Sequence, residues 1–185
     1  ARQLLAEWLG RSTYGMGSED IARLAIEEAL AASHRHVFAV LLWFVILPGP
    51  CGALLYRMAA VMRERWGQVD AAQHNDFSVF SRQVFGIIDW LPSRATASAF
   101  AIVGDFEDAV YCWRTQRTQW PDRGLCIVLA SGAGALGVRL GRPIADGVEV
   151  SDRAELGLGD PADVDFMQSA VGLVWRATVL WMLLL

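Results

Sequence analysis

Residues 36–66 read HVFAVLLWFVILPGPCGALLYRMAAVMRERW, and the fold turns on how this stretch is read. From Val37 to Tyr56 no side chain carries a charge. Val37 to Leu47 supplies eleven consecutive apolar residues. At a rise of 1.5 Å each they span roughly half of a hydrocarbon core about 30 Å thick. Pro48-Gly49-Pro50-Cys51-Gly52 then interrupts the run: the prolines remove amide donors and the glycines loosen the backbone. Two outcomes are physically allowed, a kinked span continuing through Leu55 or a re-entrant hairpin turning at the break. A turn at membrane depth is tolerated only where protein covers it or it lines a cavity. Arg35 lies before the stretch and Arg57, Arg63 and Arg65 lie in or after its tail. The positive-inside rule then places both ends in the cytoplasm and favours the hairpin.

Composition agrees with a membrane setting. Hydrophobic residues make up 54% of the 185 residues and the mean hydropathy is +0.32. Charged residues, at 19%, fall below the usual share. A net charge of −4 without a strong basic patch argues against nucleic acid as a partner. All 16 basic residues are arginine, which reads as codon usage in a GC-rich genome. Cys51, Cys112 and Cys126 are far apart and form no CxxC pair, so they read as buried free thiols rather than a zinc site or disulfide framework. The sequence starts Ala-Arg-Gln and stops inside an apolar run, which reads as a fragment of a longer chain. The expectation is an all-α, polytopic integral membrane protein. Residues 1–185 form a single membrane domain with three to four membrane segments, one of them the kinked span or re-entrant hairpin. An extramembrane loop occupies 142–162, and the setting is multi-pass in the bacterial inner (cell) membrane, with the lipid bilayer as partner.

Outward from the opening stretch, Ser18 reads as a helix N-cap, with Glu19 and Asp20 favoured by the dipole in the first turn. Ile21, Leu24, Ala25 and Glu28 recur at helical spacing towards His36. Residues 67–76 read as a loop and 77–85 as the start of a helix. Residues 87–103 are the second membrane candidate, with small residues suited to close helix packing. It carries Asp89 and Arg94, expected as a buried ion pair ahead of a ligand contact. Residues 106–117 read as an amphipathic interfacial helix, with Trp113 and Trp120 as belt residues. Residues 125–140 read as a third segment, tightly packed or half-inserted. A last helix starts at 163–167, and 170–185 is a span in which Arg176 snorkels or pairs.

Few residues suggest chemistry on their own. His34 and His36 are two apart, on different sides of a helix, and read as an interfacial basic collar; no metal site is expected. Glu27 and Glu28 precede the apolar run. They read as a solvated helix face ahead of a catalytic carboxylate tuned by burial. Gly132-Ala133-Gly134-Ala135-Leu136-Gly137 has the GxGxxG spelling without a surrounding βαβ unit, so it reads as close helix packing. No Ser–His–Asp or P-loop pattern is present.

Three segments in order carry a resemblance. Gly49 to Arg57 (GPCGALLYR), Leu91 to Ala97 (LPSRATA) and Gly134 to Gly141 (GALGVRLG) together resemble the CobD/CbiB family of cobalamin-biosynthesis membrane proteins, from about Arg11 to the end. The element Asp89-Trp90-Leu91-Pro92-Ser93-Arg94 is also similar to AmpE proteins. The first resemblance implies an adenosylcobinamide(-phosphate) synthase. That enzyme is an ATP-dependent, amide-forming ligase joining aminopropanol or its phosphate to a propionate carboxyl of adenosylcobyric acid, with ATP and Mg2+. It implies a corrinoid intermediate as ligand, and a membrane or pathway protein as a further partner. It implies Glu27 as a catalytic residue and Tyr56, Arg57, Asp89, Arg94 and Arg139 as substrate-binding residues. The chain departs from the family where polar groups are expected. Ala31-Ala32 and Arg35 replace an Asn and acidic positions, and Ala60-Val61-Met62-Arg63 replaces Asn-Thr-Leu-Asp. Phe85-Gly86 replaces a paired Asp, and Asp89 replaces an Asn. The implied protein is a divergent member with reduced or absent ligase activity. The alternative is a non-enzymatic AmpE-like modulator of cell-wall and β-lactamase signalling.

Overall fold

The computed structural model describes residues 17–47, 50–69, 76–141, 145–146, 149–150 and 154–184. The first helix, α1 (Ser18–Ser33), starts one residue earlier than Ser18 as a cap would require. Gly17 is the N-cap, extended at φ −67° and ψ 163°, and its carbonyl accepts from the Ile21 amide at 3.1 Å. Glu19 and Asp20 occupy the first turn, where exposed amides favour negative charge. The helix does not stop at the histidines. It passes through one π-helical turn (His34–Phe38) into α2 (Ala39–Ile46), a continuous rod of 29 residues. A single π turn widens a helix locally and is often found at a functional site.

After Leu47 the chain reverses. Pro48 and Gly49 lie outside the described residues, and α3 (Cys51–Val69) runs back along α2. Gly52 sits against the Trp43 carbonyl, so close that a Cβ there would overlap it, and Arg57 reaches back to His36. These pairings are antiparallel. The break is therefore a hairpin turn and not a kink in one long helix.

The next helices are α4 (Asp76–Ile88), α5 (Trp90–Val103), α6 (Phe106–Gln116) and α7 (Arg123–Leu136). Asp105 caps α6 by accepting from the Glu107 and Asp108 amides, and Asp122 caps α7 by accepting from the Leu125 amide. The expected segment at 87–103 is divided by a turn at Asp89, so it is not one uninterrupted span. Among the described residues two helices are long and apolar enough to cross a membrane, Ser18–Ile46 and α8 (Val164–Leu184). Helix α7 is apolar but has only 14 residues.

Helix α7 is the axis of the core, packed by α6, α5 and α1. The GxGxxG stretch permits this. A Cβ on Gly132 would stand 2.9 Å from Leu30, and one on Gly134 would stand 2.5 Å from the Asp108 carbonyl. Gly137 does something else: at φ 67° it takes the left-handed C-cap position. Phe38 links the layers, edge-on to Phe100 at 5.8 Å and stacked with Trp181 at 6.1 Å.

The chain is mostly helical, as expected, and the strands among the described residues are only two residues long. Strand β1 (Val138–Arg139) pairs in parallel with β4 (Asp160–Pro161), and β2 (Ala145–Asp146) pairs antiparallel with β3 (Glu149–Val150). Leu140 and Leu156 exchange backbone hydrogen bonds at 2.7 Å, and both side chains are buried. The loop at 142–162 is thus tied to the core at its ends rather than lacking structure throughout. Trp120 is also a core residue and not a belt residue: its indole N–H donates to the Ala154 carbonyl at 2.9 Å. Arg176 is exposed and donates to the Gly172 carbonyl one turn back.

The cysteines divide. Cys112 and Cys126 are buried, whereas Cys51, at the start of α3, is exposed and departs from the expectation of a buried thiol. Burial, with Asp108 adding to it, pushes the Cys112 thiol up to about 11. Since the thiolate is the nucleophile, maleimide at pH 7.5 is expected to leave Cys112 and Cys126 unmodified until the protein is denatured. Peptide mass spectrometry of the native and denatured protein checks this.

Candidate functional site: an arginine-lined cleft over a buried aspartate

Asp89 stands at the turn between α4 and α5, where it faces inward and is 4% exposed. A buried carboxylate is stable only when donors surround it. Its Oδ1 accepts from the Tyr56 hydroxyl at 2.9 Å, and His34 Nε2 lies 3.1 Å from the same atom. His34 Nδ1 meets Thr96 Oγ1 at 2.9 Å. An ionised carboxylate only accepts, so Nε2 carries a proton; in the neutral ring Nδ1 then accepts from the Thr96 hydroxyl. Gly124 closes the far side of Asp89, where a Cβ would overlap Oδ2. Helix α3, the π turn, α5 and α7 thus converge on one carboxylate.

Asp89 and Ser93 form the floor of an open cleft of about 730 Å³. Arg63, Arg82, Arg94, Arg117 and Arg123 line it. A second cleft of about 530 Å³ is lined by Glu27, Glu28, Ala31 and Arg35. The two share Arg63, Pro121 and Asp122. Arg63 Nη2 lies 2.6 Å from Asp122 Oδ2, and its guanidinium covers the Phe85 ring at 4.7 Å. This ion pair is the partition between the clefts.

The expected site residues are only partly brought together. Asp89 and Arg94 line the larger cleft, while Tyr56 lies behind Asp89 and is fully buried. Glu27 lines the smaller cleft. It is 7% exposed and accepts from the Gly141 amide at 2.7 Å, so it is not part of a solvated helix face. Arg57 is exposed and meets His36 Nδ1 at 2.6 Å. Arg139 sits beside Glu155, Glu19 and Arg23. Asp89 and Arg94 do not form the expected ion pair. Arg94 lies one turn after Trp90, which it covers at 4.2 Å while donating to the Trp90 carbonyl at 3.0 Å. The basic-collar reading also fails for His34, which is 1% exposed, although His36 is exposed.

Loss of the Glu27 acceptor is expected to orphan a buried amide. Glu27→Ala should destabilise the fold by about 1.5–3 kcal/mol, and Glu27→Gln, which keeps an acceptor, by less. Denaturant titration in detergent distinguishes the two.

Sequence reading did not select His34, Arg63, Asp122, Arg117 or Arg123. A signal existed for two of them. Positions two apart on a helix cannot share a face, so one of His34 and His36 had to point inward. Asp122 follows Pro121 and precedes an apolar helix, which is an N-cap pattern.

The positions at which the resemblance implies polar groups fall on the same walls. Ala31 and Arg35 line the smaller cleft, Phe85 and Gly86 the larger, and Arg63 both. A calcium-type site needs six to eight oxygen ligands from the protein, whereas Mg2+ is usually held by one or two carboxylates together with substrate phosphates and water. Asp89 is engaged with Tyr56 and His34, and Asp122 with Arg63 and the Leu125 amide. Among the described residues no group of three or more His, Cys, Asp or Glu could hold a metal ion. The described residues thus form no cation cage of their own, and the guanidinium groups on the cleft walls match phosphate geometry.

Among the described residues two membrane-length helices, Ser18–Ile46 and α8, pack against each other, as in helical proteins of membrane type. The sequence model of the CobD/Cbib protein family matches residues 1–174, and the chain belongs to that family. It is similar to the cobalamin biosynthesis protein CobD of Stutzerimonas stutzeri, with 34% identity over 185 residues, covering 100% of this chain and 60% of the relative. It is similar to the protein of that name from Chromobacterium violaceum, at 33% identity over 98% of this chain and 57% of the relative. With that from Mycobacterium tuberculosis H37Rv it shares 28% identity over 94% of this chain and 56% of the relative. The chain therefore spans 56–60% of the length of these relatives. No solved structure matches it.

Proposed function

We propose that this chain acts in cobalamin biosynthesis at the bacterial inner membrane, as a divergent synthase joining aminopropanol or its phosphate to adenosylcobyric acid. One observation carries the reading. Tyr56 from the first resembling segment and Thr96 from the second meet, with His34, on the Asp89 network beneath the larger cleft. The family's resembling segments thus build one polar site inside an apolar helical body. Asp89 and Arg94 are the substrate-facing residues in this reading, Tyr56 holds Asp89, and Glu27 serves the adjoining cleft. ATP would supply the activation of the carboxyl group. The replaced carboxylates lie on the cleft walls, so ligase turnover is expected to be slow.

The same proposal sets the topology. Ser18–Ile46 and α8 span the bilayer, the α2–α3 hairpin is re-entrant, and α7 is a protein-covered short segment, giving three to four membrane segments. Residues 1–185 act as one membrane domain, with 142–162 outside the bilayer. Exposed Phe44, Val45, Leu54 and Met58 on the hairpin, and Trp175, Val179 and Met182 on α8, are the lipid-facing groups. No observation favours the AmpE-like alternative.

Complementation tests the functional reading. The full-length protein, expressed in a strain lacking the synthase, is expected to restore slow cobalamin-dependent growth, and Asp89→Ala is expected to abolish it. Growth unaffected by Asp89→Ala would contradict the assignment of the site.

A further inference from the structure

His36 and Arg57 bracket the uncharged stretch from Val37 to Tyr56. Both are exposed, and they meet at 2.6 Å. The two arms of the α2–α3 hairpin therefore leave the apolar zone at one level. Trp43 lies seven residues beyond His36, which is about 10 Å along a helix towards the hairpin tip. Its indole N–H donates to the Ile88 carbonyl at 3.2 Å. The Tyr56 ring packs on Phe85 at 5.8 Å, and its hydroxyl donates to Asp89. These contacts fix the elbow between α4 and α5 against the hairpin, at the height of Trp43.

The elbow has two unlike sides. Phe85, Gly86 and Asp89 turn to the larger cleft, and Trp90 stands at its rim. Ile87, Trp90 and Leu91 are 76%, 56% and 41% exposed. Scattered apolar side chains on a surface are ordinary, but three within five residues form a patch that needs a partner. Two observations identify it. Arg94 lays its guanidinium over the Trp90 ring at 4.2 Å. Tryptophan is favoured at a membrane–water boundary, and an arginine stem there carries its charge back to the headgroups. The patch is also continuous, through Trp43, with the exposed Phe44 and Val45 of the hairpin. One lipid surface covers both.

We infer that the α4–α5 elbow is an interfacial anchor. Ile87, Trp90 and Leu91 rest among the lipids of one leaflet, about 10 Å from the level of His36 and Arg57 towards the hairpin tip. The larger cleft is then a water-filled recess sunk beside that leaflet, with lipid outside the elbow and charged groups inside, where ionisable side chains at membrane depth belong. This rests on the reading of the α2–α3 hairpin as re-entrant and is independent of what the cleft binds.

Spin labels on the full-length protein, in nanodiscs of phosphatidylcholine and phosphatidylglycerol, test it. Cys51→Ser removes the exposed thiol, and single cysteines are then placed by His36→Cys, Gly86→Cys, Ile87→Cys, Leu91→Cys and Val179→Cys. Collisions with oxygen, which concentrates in hydrocarbon, and with a water-soluble nickel chelate give the depth of each label. The labels at Ile87 and Leu91 are expected to be open to oxygen and shielded from nickel, about 10 Å deeper than the label at His36. The label at Gly86, where an added Cβ meets no atom within 4 Å, is expected to be open to nickel. Val179 on α8 is the reference for lipid exposure. Nickel access at Ile87 and Leu91 equal to that at Gly86 would put the elbow in water. Exclusion of both reagents would put it against protein, a second copy or another part of the chain. Either result, or a depth equal to that of His36, would overturn the inference. Nickel access at Val179 as well would overturn the membrane reading with it. The expected depths in a protein that makes no cobinamide would leave the anchor standing and count against the synthase reading alone.

Discussion

Asp89→Ala is expected to be the most damaging single substitution on the polar side of the molecule. It removes the acceptor shared by Tyr56 and His34 and leaves a hydroxyl and a ring N–H buried together. Each buried donor without a partner costs about 1–3 kcal/mol, so the loss is expected at about 3–5 kcal/mol. Two things separate this from an ordinary cavity effect. Asp89→Asn has nearly the same volume and keeps a carbonyl acceptor, so it is expected to lose much less stability. Tyr56→Phe removes one donor while leaving the carboxylate and His34 paired, so it too is expected to cost less than Asp89→Ala. Denaturant midpoints of the three variants in one detergent give the order. An Asp89→Ala protein as stable as the parent would mean that the network does not hold α3, α5 and the π turn together.

Gly134→Val is expected to have the largest effect on the apolar side. Its Cβ would lie 2.5 Å from the Asp108 carbonyl oxygen and 2.8 Å from the Ala109 Cα. Those atoms belong to the backbone of α6 and cannot rotate away as a flexible side chain could. Overpacking a core typically costs about 1–3 kcal/mol when side chains can adjust. Moving a helix is expected to exceed that range and to prevent accumulation of folded protein. Gly172→Ala is the matched control. It lies within a helix with no atom within 4 Å of the added Cβ, so it is expected to be neutral or to stabilise by up to about 1 kcal/mol. Folded yield after detergent extraction and thermal midpoint read both substitutions. Equal behaviour of the two glycine variants would contradict close approach of α6 and α7.

Parts of this architecture were legible because they rest on local rules. Two prolines and two glycines in five residues cannot continue a helix undisturbed, and the chain reverses there. Glycine at two-residue spacing in an apolar stretch signals a neighbour that tolerates no side chain, which holds for Gly132 and Gly134. Other parts depend on which distant residue arrives opposite, and no periodicity records that. Asp89 and Arg94 are close in sequence and opposite in charge, yet Asp89 turns inward to residues 55 and 33 positions away. The deciding cause is the turn between α4 and α5, which breaks what looked like one segment. Trp120 looked interfacial because it is aromatic and flanked by polar residues. The returning chain at Ala154 and Leu156 covers it, and a residue over thirty positions away cannot be read from its neighbours.

The central claim is that the arginine-lined cleft over Asp89 serves cobinamide synthesis, and chromatography of the corrinoid product tests it most directly. Full-length protein in nanodiscs is incubated with adenosylcobyric acid, aminopropanol phosphate, ATP and Mg2+, alongside Asp89→Ala and Arg94→Gln. Slow conversion by the parent, abolished by Asp89→Ala and reduced about tenfold or more by Arg94→Gln at limiting aminopropanol phosphate, is the predicted result. No product from well-folded parent protein, or the same rate from all three, would contradict it.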